Sequence, residues 1–75
     1  MNIDIKNKTI KVCLEFDCRV DGSERDYAAF CLNIPDLNSV GHSEYIVMRD
    51  LGMAIKLRVQ EIINNELPIP KVAVR

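Results

Sequence analysis

Three sets of side chains in this sequence carry reactive groups: the adjacent pair His42-Ser43, the thiols Cys13, Cys18 and Cys31, and carboxylates that include Asp17 and Asp36. A base beside a hydroxyl is the raw material of nucleophilic catalysis. Neighbours at a helix start rarely point at each other, however, and no third group is placed to orient the imidazole. The thiols form no Cys-x-x-Cys, and His42 is the only histidine, so the spacing matches neither a zinc site nor, with an odd count, a disulfide framework. They read as reduced structural cysteines of a reducing compartment. Two-metal hydrolysis needs several carboxylates converging on ions about 4 Å apart. Asp17 is expected on an outer sheet face and Asp36 in a loop, and no acid follows Glu66. Gly22, Gly41 and Gly52 are scattered and form no phosphate-binding loop. The expectation is a chain with no catalytic residue, no metal and no cofactor.

The elements that position these groups follow from periodicity. Ile10, Val12, Leu14, Phe16, Cys18 and Val20 alternate strictly with Lys11, Cys13, Glu15, Asp17 and Arg19, which predicts one half-buried strand over 10–20. Asp21-Gly22-Ser23-Glu24 supplies turn residues. A second strand over 27–34 places Ala28, Phe30, Leu32 and Ile34 inward and Tyr27, Ala29 and Cys31 outward. Inward residues are then even-numbered on both strands, so the loop must hold an odd number of residues unless a bulge intervenes. Pairing about Gly22 sets Cys13 opposite Cys31, and pairing about Ser23 sets it opposite Asn33. Ile34-Pro35-Asp36-Leu37-Asn38 reads as a loop, and Ser39 to His42 as a short third strand.

Ser43 then reads as the N-cap, with Glu44 in the first turn, of a helix from Glu44 to Asn64 or Asn65. Val47, Leu51, Ala54, Ile55, Val59 and Ile62 form its apolar stripe, with Met48 at the margin. Arg58 shares that sector, its stem packing while its head reaches the rim. Gly52 costs roughly 1 kcal/mol relative to Ala inside a helix, which a close contact at that point would explain. Pro68-Ile69-Pro70 stops the helix, and Val72 and Val74 leave room for a short last strand. The resulting class is α+β in the order β-β-β-α-β, an antiparallel three-stranded sheet packed on one long helix.

With 75 residues the chain is one domain over 1–75, with 1–8 as an amino-terminal extension and 71–75 as a tail or short strand. Ten Lys and Arg against eleven Asp and Glu give a net charge of −1, without the basic excess of a nucleic-acid binder, so no direct nucleic-acid contact is expected. Met1-Asn2-Ile3-Asp4-Ile5-Lys6 lacks the basic start and apolar run of a signal peptide, and no stretch approaches the roughly 20 apolar residues of a membrane span. A cytoplasmic protein that leaves membranes alone is the expectation. A chain this short buries only about 60% of its unfolded surface, which favours self-association. Apolar residues off the core mark where contact would occur: Ile46, Met53 and Leu57 on the helix, and Tyr27, Ala29 and Cys31 on the outer side of the second strand.

From about Ile10 to Pro70 the order of elements resembles the amino-terminal domain of HicB-like antitoxins, which have a partial ribonuclease H fold. The resemblance rests on the hairpin, the Ile34-Pro35-Asp36-Leu37 loop, Gly41 followed after one residue by Ser43, the single long helix and the closing Pro68-Ile69-Pro70. Departures are Tyr45-Ile46-Val47, where the family has an acid followed by Ala, and the residues preceding the first predicted strand. The resemblance implies a non-enzymatic, homo-oligomeric protein that binds and masks a small HicA-like mRNA-cleaving toxin. The DNA-binding domain of many members is not carried over. The other class in view is a solitary assembly or ligand-binding module of this fold with no toxin.

Overall fold

The computed structural model describes residues 4–12 and 14–68. Four antiparallel strands, β1 (Asp4–Val12), β2 (Leu14–Ser23), β3 (Asp26–Cys31) and β4 (Asn38–Gly41), lie in the spatial order β1-β2-β3-β4, and one helix, α1 (Glu44–Asn64), covers one face. The α+β class and the packing of sheet on helix are as anticipated. The order of elements is β-β-β-β-α, and the sheet has a fourth strand. Positions Val72 and Val74, read as a last strand, lie outside the described residues.

The additional strand arises where one strand was expected. Val12 pairs with Leu14, Ile10 with Phe16 and Lys8 with Cys18, so the alternating run 10–20 is divided between two antiparallel strands. Most of the supposed amino-terminal extension therefore belongs to β1. Lys6 and Lys8 project on the helix side, where they reach Glu44 at 2.8 and 3.4 Å. The hydrogen bond from Lys6 holds the Glu44 carboxyl below its ordinary range, and the same carboxylate lies in the helix first turn, where the dipole favours it.

β2 and β3 are joined by only two residues, Glu24 and Arg25, because Ser23 pairs with Asp26. Glu24 occupies the positive-φ conformation (φ 57°) that such tight loops demand. An even-length loop pairs even with odd: Val20 faces Ala29, and Cys18 faces Cys31. β3 consequently turns its odd residues to the helix, the reverse of the predicted parity. Ala29 and Cys31 are buried, while Phe30 and Leu32 are exposed. The hairpin register is thus neither of the two predicted, and Cys13, whose partner they set, lies outside the described residues. Tyr27 also lies on the helix side, its ring covering Gly22, where any side chain would collide with it.

After β3 the chain turns at Ile34-Pro35-Asp36-Leu37, closed by a hydrogen bond from Leu37 N–H to the Ile34 carbonyl at 3.0 Å, and this turn buries Ile34. Arg58 grips Asp36 in this loop, with Nη2 to Oδ2 at 2.6 Å, so its head reaches the rim as expected. Ser43 is extended and its Oγ accepts from the Ile46 N–H at 3.2 Å, the cap the sequence predicts. At the other end Glu66 adopts φ 51°, with Leu67 N–H on the Ile62 carbonyl and Glu66 N–H on the Ile63 carbonyl. This Schellman closure ends the helix before the prolines do. Val47, Leu51, Ile55 and Val59 meet Phe16, Cys18, Val20, Ala29, Cys31 and Ile34 in one core, and Ile62 is buried on the same helix stripe. Among the described residues no helix is long and apolar enough to cross a membrane.

Among the described residues no close contact explains Gly52, since a Cβ there would meet only Ile10 Cδ1 at an ordinary 3.9 Å. Gly52→Ala is therefore expected to stabilise the protein by up to about 1 kcal/mol. Ser43→Ala should destabilise it by about 1 kcal/mol. Urea denaturation midpoints of the two variants, moving in opposite directions from the parent, check both.

Candidate interaction surface

Among the described residues the helix covers one face of the sheet and nothing covers the other. On that uncovered face the registers align Phe30 with Asn38 and Ala28 with Val40 across β3 and β4, and Ala28 with Asp21 across β2. Val40 is 76% exposed, Leu32 55% and Phe30 37%, an apolar strip that a solvated sheet face does not require. β2 and the start of β3 border the strip with Glu15, Asp17, Asp21 and Asp26, against Arg19 on β2 and Lys11 on β1. Arg19 Nε donates to Asp21 Oδ1 at 2.7 Å, and Lys11 lies 4.0 Å from Glu15. At the end of the strip an open groove of about 580 Å³ is lined by Asp21, Ser23, Asp26, Ala28, Val40 and His42, among others. The Ser23 hydroxyl beside it is enclosed and has no hydrogen-bond partner among the described residues.

Of the residues singled out for contact, the helix set is exposed as expected for Met53 and Leu57, with Ile46 half-buried near Gly41. The sheet set is corrected. Ala29 and Cys31 are sealed beneath the helix and Tyr27 packs on the core, so these three cannot form an outer patch. Of the residues that do form it, Ala28, Phe30 and Leu32 are those assigned to the core by the opposite parity, and Val40 belongs to the strand expected over 39–42. The sequence signal that could have found them is the short Ser-Glu-Arg-Asp link, compatible with a two-residue hairpin loop.

The reactive groups are dispersed. Ser43 Oγ is engaged as a cap, His42 is exposed, and Asp36 is bound to Arg58, whose hydrogen bond lowers the Asp36 carboxyl below its ordinary range. Among the described residues no three His, Cys, Asp or Glu side chains are placed to hold a metal ion. Cys18 and Cys31 are free thiols facing each other on adjacent strands. Burial, with the neighbouring Cys31 and Asp17 adding to it, pushes the Cys18 thiol up to about 12. Both behave as small core hydrophobes, as anticipated for Cys18 and contrary to the outer-face placement of Cys31. Cys13 lies outside the described residues.

In comparisons with protein families, curated proteins and solved structures, none matches this chain.

The Cys18 thiol stays protonated in the folded protein well above 9.0, where an unfolded cysteine ionises. Its contribution to stability is thus complete below pH 9 and is lost as pH climbs toward 12. The denaturation midpoint should fall on raising the pH through 9 to 11. A Cys18→Ala variant, weaker at pH 7, should lose less over that interval; an equal loss in both would assign the effect to other groups.

Proposed function

We propose that this chain is a binding protein of the HicB-like antitoxin kind, which masks a small, basic, HicA-like mRNA-cleaving toxin by covering its surface. The observation that carries the reading is the uncovered sheet face, where the apolar strip of Ala28, Phe30, Leu32 and Val40 is edged by carboxylates. An apolar centre with an acidic rim complements a basic RNA-binding protein, through burial at the middle and charge steering at the edge. On this reading the protein acts in the cytoplasm without catalysis, as a homo-oligomer, and touches no nucleic acid itself. The loop and cap residues on which the resemblance rests, Pro35-Asp36-Leu37 and Gly41-His42-Ser43, stand where the fold uses them, as a turn and a helix start.

One observation favours the second reading, a solitary ligand-binding module. The groove at the end of the strip combines apolar walls with Asp21, Asp26 and His42 and has room for a small molecule. A ligand that binds in this groove with no protein partner would support it.

The test is calorimetric titration of the purified protein with the small basic protein encoded beside it, paired with cleavage of labelled single-stranded RNA. Stoichiometric protein should suppress the cleavage. Phe30→Glu should weaken binding by at least about tenfold, or roughly 1.4 kcal/mol, while Lys56→Gln on the distant helix surface should not. Unimpeded cleavage removes the antitoxin function. RNA cleavage by the protein alone that disappears in Asp17→Asn or Asp36→Asn would refute the absence of catalysis.

A further inference from the structure

Among the described residues the sheet has two edges, β1 and β4, and they are built differently. The outer edge of β1 carries Lys6, Lys8 and Lys11 along its length, two of them turned toward the helix face, which is a recognised defence against unwanted strand addition. The outer edge of β4, Asn38-Ser39-Val40-Gly41, carries no charge and no proline. Its hydrogen-bonding polarity follows from the ladder. Cys31 N–H donates to the Leu37 carbonyl, so every second residue from Leu37, namely Ser39 and Gly41, bonds inward to β3. Asn38 and Val40 therefore aim their N–H and C=O groups off the sheet, two donors and two acceptors in a row.

We propose that β4 is the seam of a symmetric dimer, in which two copies join their sheets edge to edge about a two-fold axis passing beside Ser39. In that register Asn38 pairs with the partner's Val40, and Val40 with the partner's Asn38, closing four backbone hydrogen bonds. Ser39 then stands opposite the partner's Ser39 as a non-hydrogen-bonded pair. The edge is self-complementary because its donors and acceptors alternate symmetrically about Ser39, and with no charge on β4 the two copies meet without like-charge repulsion.

The position of the helix supports the same occupant. α1 packs chiefly over β3 and β4 rather than over the middle of the sheet, and Ile46 lies so close to β4 that a Cβ on Gly41 would come within 3.0 Å of it. Strands hydrogen-bond at about 4.8 Å spacing. Two helices seated just inside two joined β4 strands would have axes about 10 Å apart, within the usual range for packed helices. Joining the edges thus brings the two helices alongside each other and adds the half-buried Ile46 to the contact. This assembly is independent of the partner proposed above, because it uses the edge and the helix side while the outer strip stays open.

The test places a cysteine at the axis. Ser39→Cys in a Cys13→Ser background, oxidised with glutathione disulfide, should become a covalent dimer of twice the 8.5 kDa chain mass, two thiols closing one disulfide as two glutathiones are released. Asn38→Cys, offset by two residues from its own symmetry mate, should not. In the parent, the Asn38 and Val40 amides should exchange hydrogen at least about tenfold more slowly at high protein concentration than at low, and Ser39 and Gly41 should show no such dependence. Val40→Pro, which removes an outward N–H and is tolerated at an edge, should retain the helical circular dichroism and sediment as a monomer. A monomeric parent, concentration-independent exchange at Asn38 and Val40, or an Asn38→Cys dimer that forms as readily as the Ser39→Cys dimer would each overturn the assignment.

Discussion

The two-residue link Glu24-Arg25 decides which side of β3 meets the helix, and most of the rest of the molecule depends on that choice. With Ser23 opposite Asp26, the small side chains Ala29 and Cys31 fall under α1 and Phe30 turns outward. A loop one residue longer would reverse this and drive Phe30 and Leu32 into the core, displacing the close approach that Ala29 and Cys31 allow. A slip by one position moves a strand's whole side-chain set to the opposite face. The register is held at the far end as well, where Leu32 N–H donates to the Asp17 carbonyl at 2.8 Å and the Asn33 side chain accepts from Asp17 N–H at 2.7 Å.

On the helix side the consequence is a core that is thin but well shared. The largest enclosed side chains are Phe16, Leu51, Ile55, Val20 and Val47, and truncating any one of them to Ala costs on the order of 2–5 kcal/mol, a large part of the 5–15 kcal/mol that holds a domain together. Polar ties anchor the rim of that core. Lys6 and Lys8 fasten the first helical turn to β1, and Arg58 fastens the middle of the helix to the β3–β4 turn. Exposed pairs of this kind contribute little energy each, but they fix the direction in which α1 crosses the sheet.

The helix was legible almost to the residue because several independent signals agree on it: the hydroxyl cap, the acid after it, the apolar stripe and the stop. The sheet was legible in kind but not in register, for two distinct reasons. In β1 and β2 alike the even residues, such as Lys8 and Ile10 or Phe16 and Cys18, lie on the helix side, so the alternation runs from one strand into the next unbroken, and no Gly, Pro, Asn or Asp between 10 and 16 marks the boundary. In Tyr-Ala-Ala-Phe-Cys-Leu both parities are apolar, so the pattern fits either face, and only the length of the loop separates them. The outer strip was missed for that second reason, whereas Met53 and Leu57 were found because a helix period leaves no such ambiguity.

That double apolarity in β3 has its own physical meaning. A strand covered by a helix on one side and by water on the other should be polar on alternate residues, as β2 is with Glu15, Asp17, Arg19 and Asp21 on its outer face. β3 departs from the rule where it lies between β2 and β4, and Val40 extends the departure to the edge. Leu32 and Val40, more than half exposed, contribute little burial to the stability of the lone chain. A sequence that keeps one strand apolar on both faces, leaves the adjoining edge uncharged and protects the opposite edge with lysines has concentrated its unsatisfied surface on one side, and contact with another protein is what such a side is suited to.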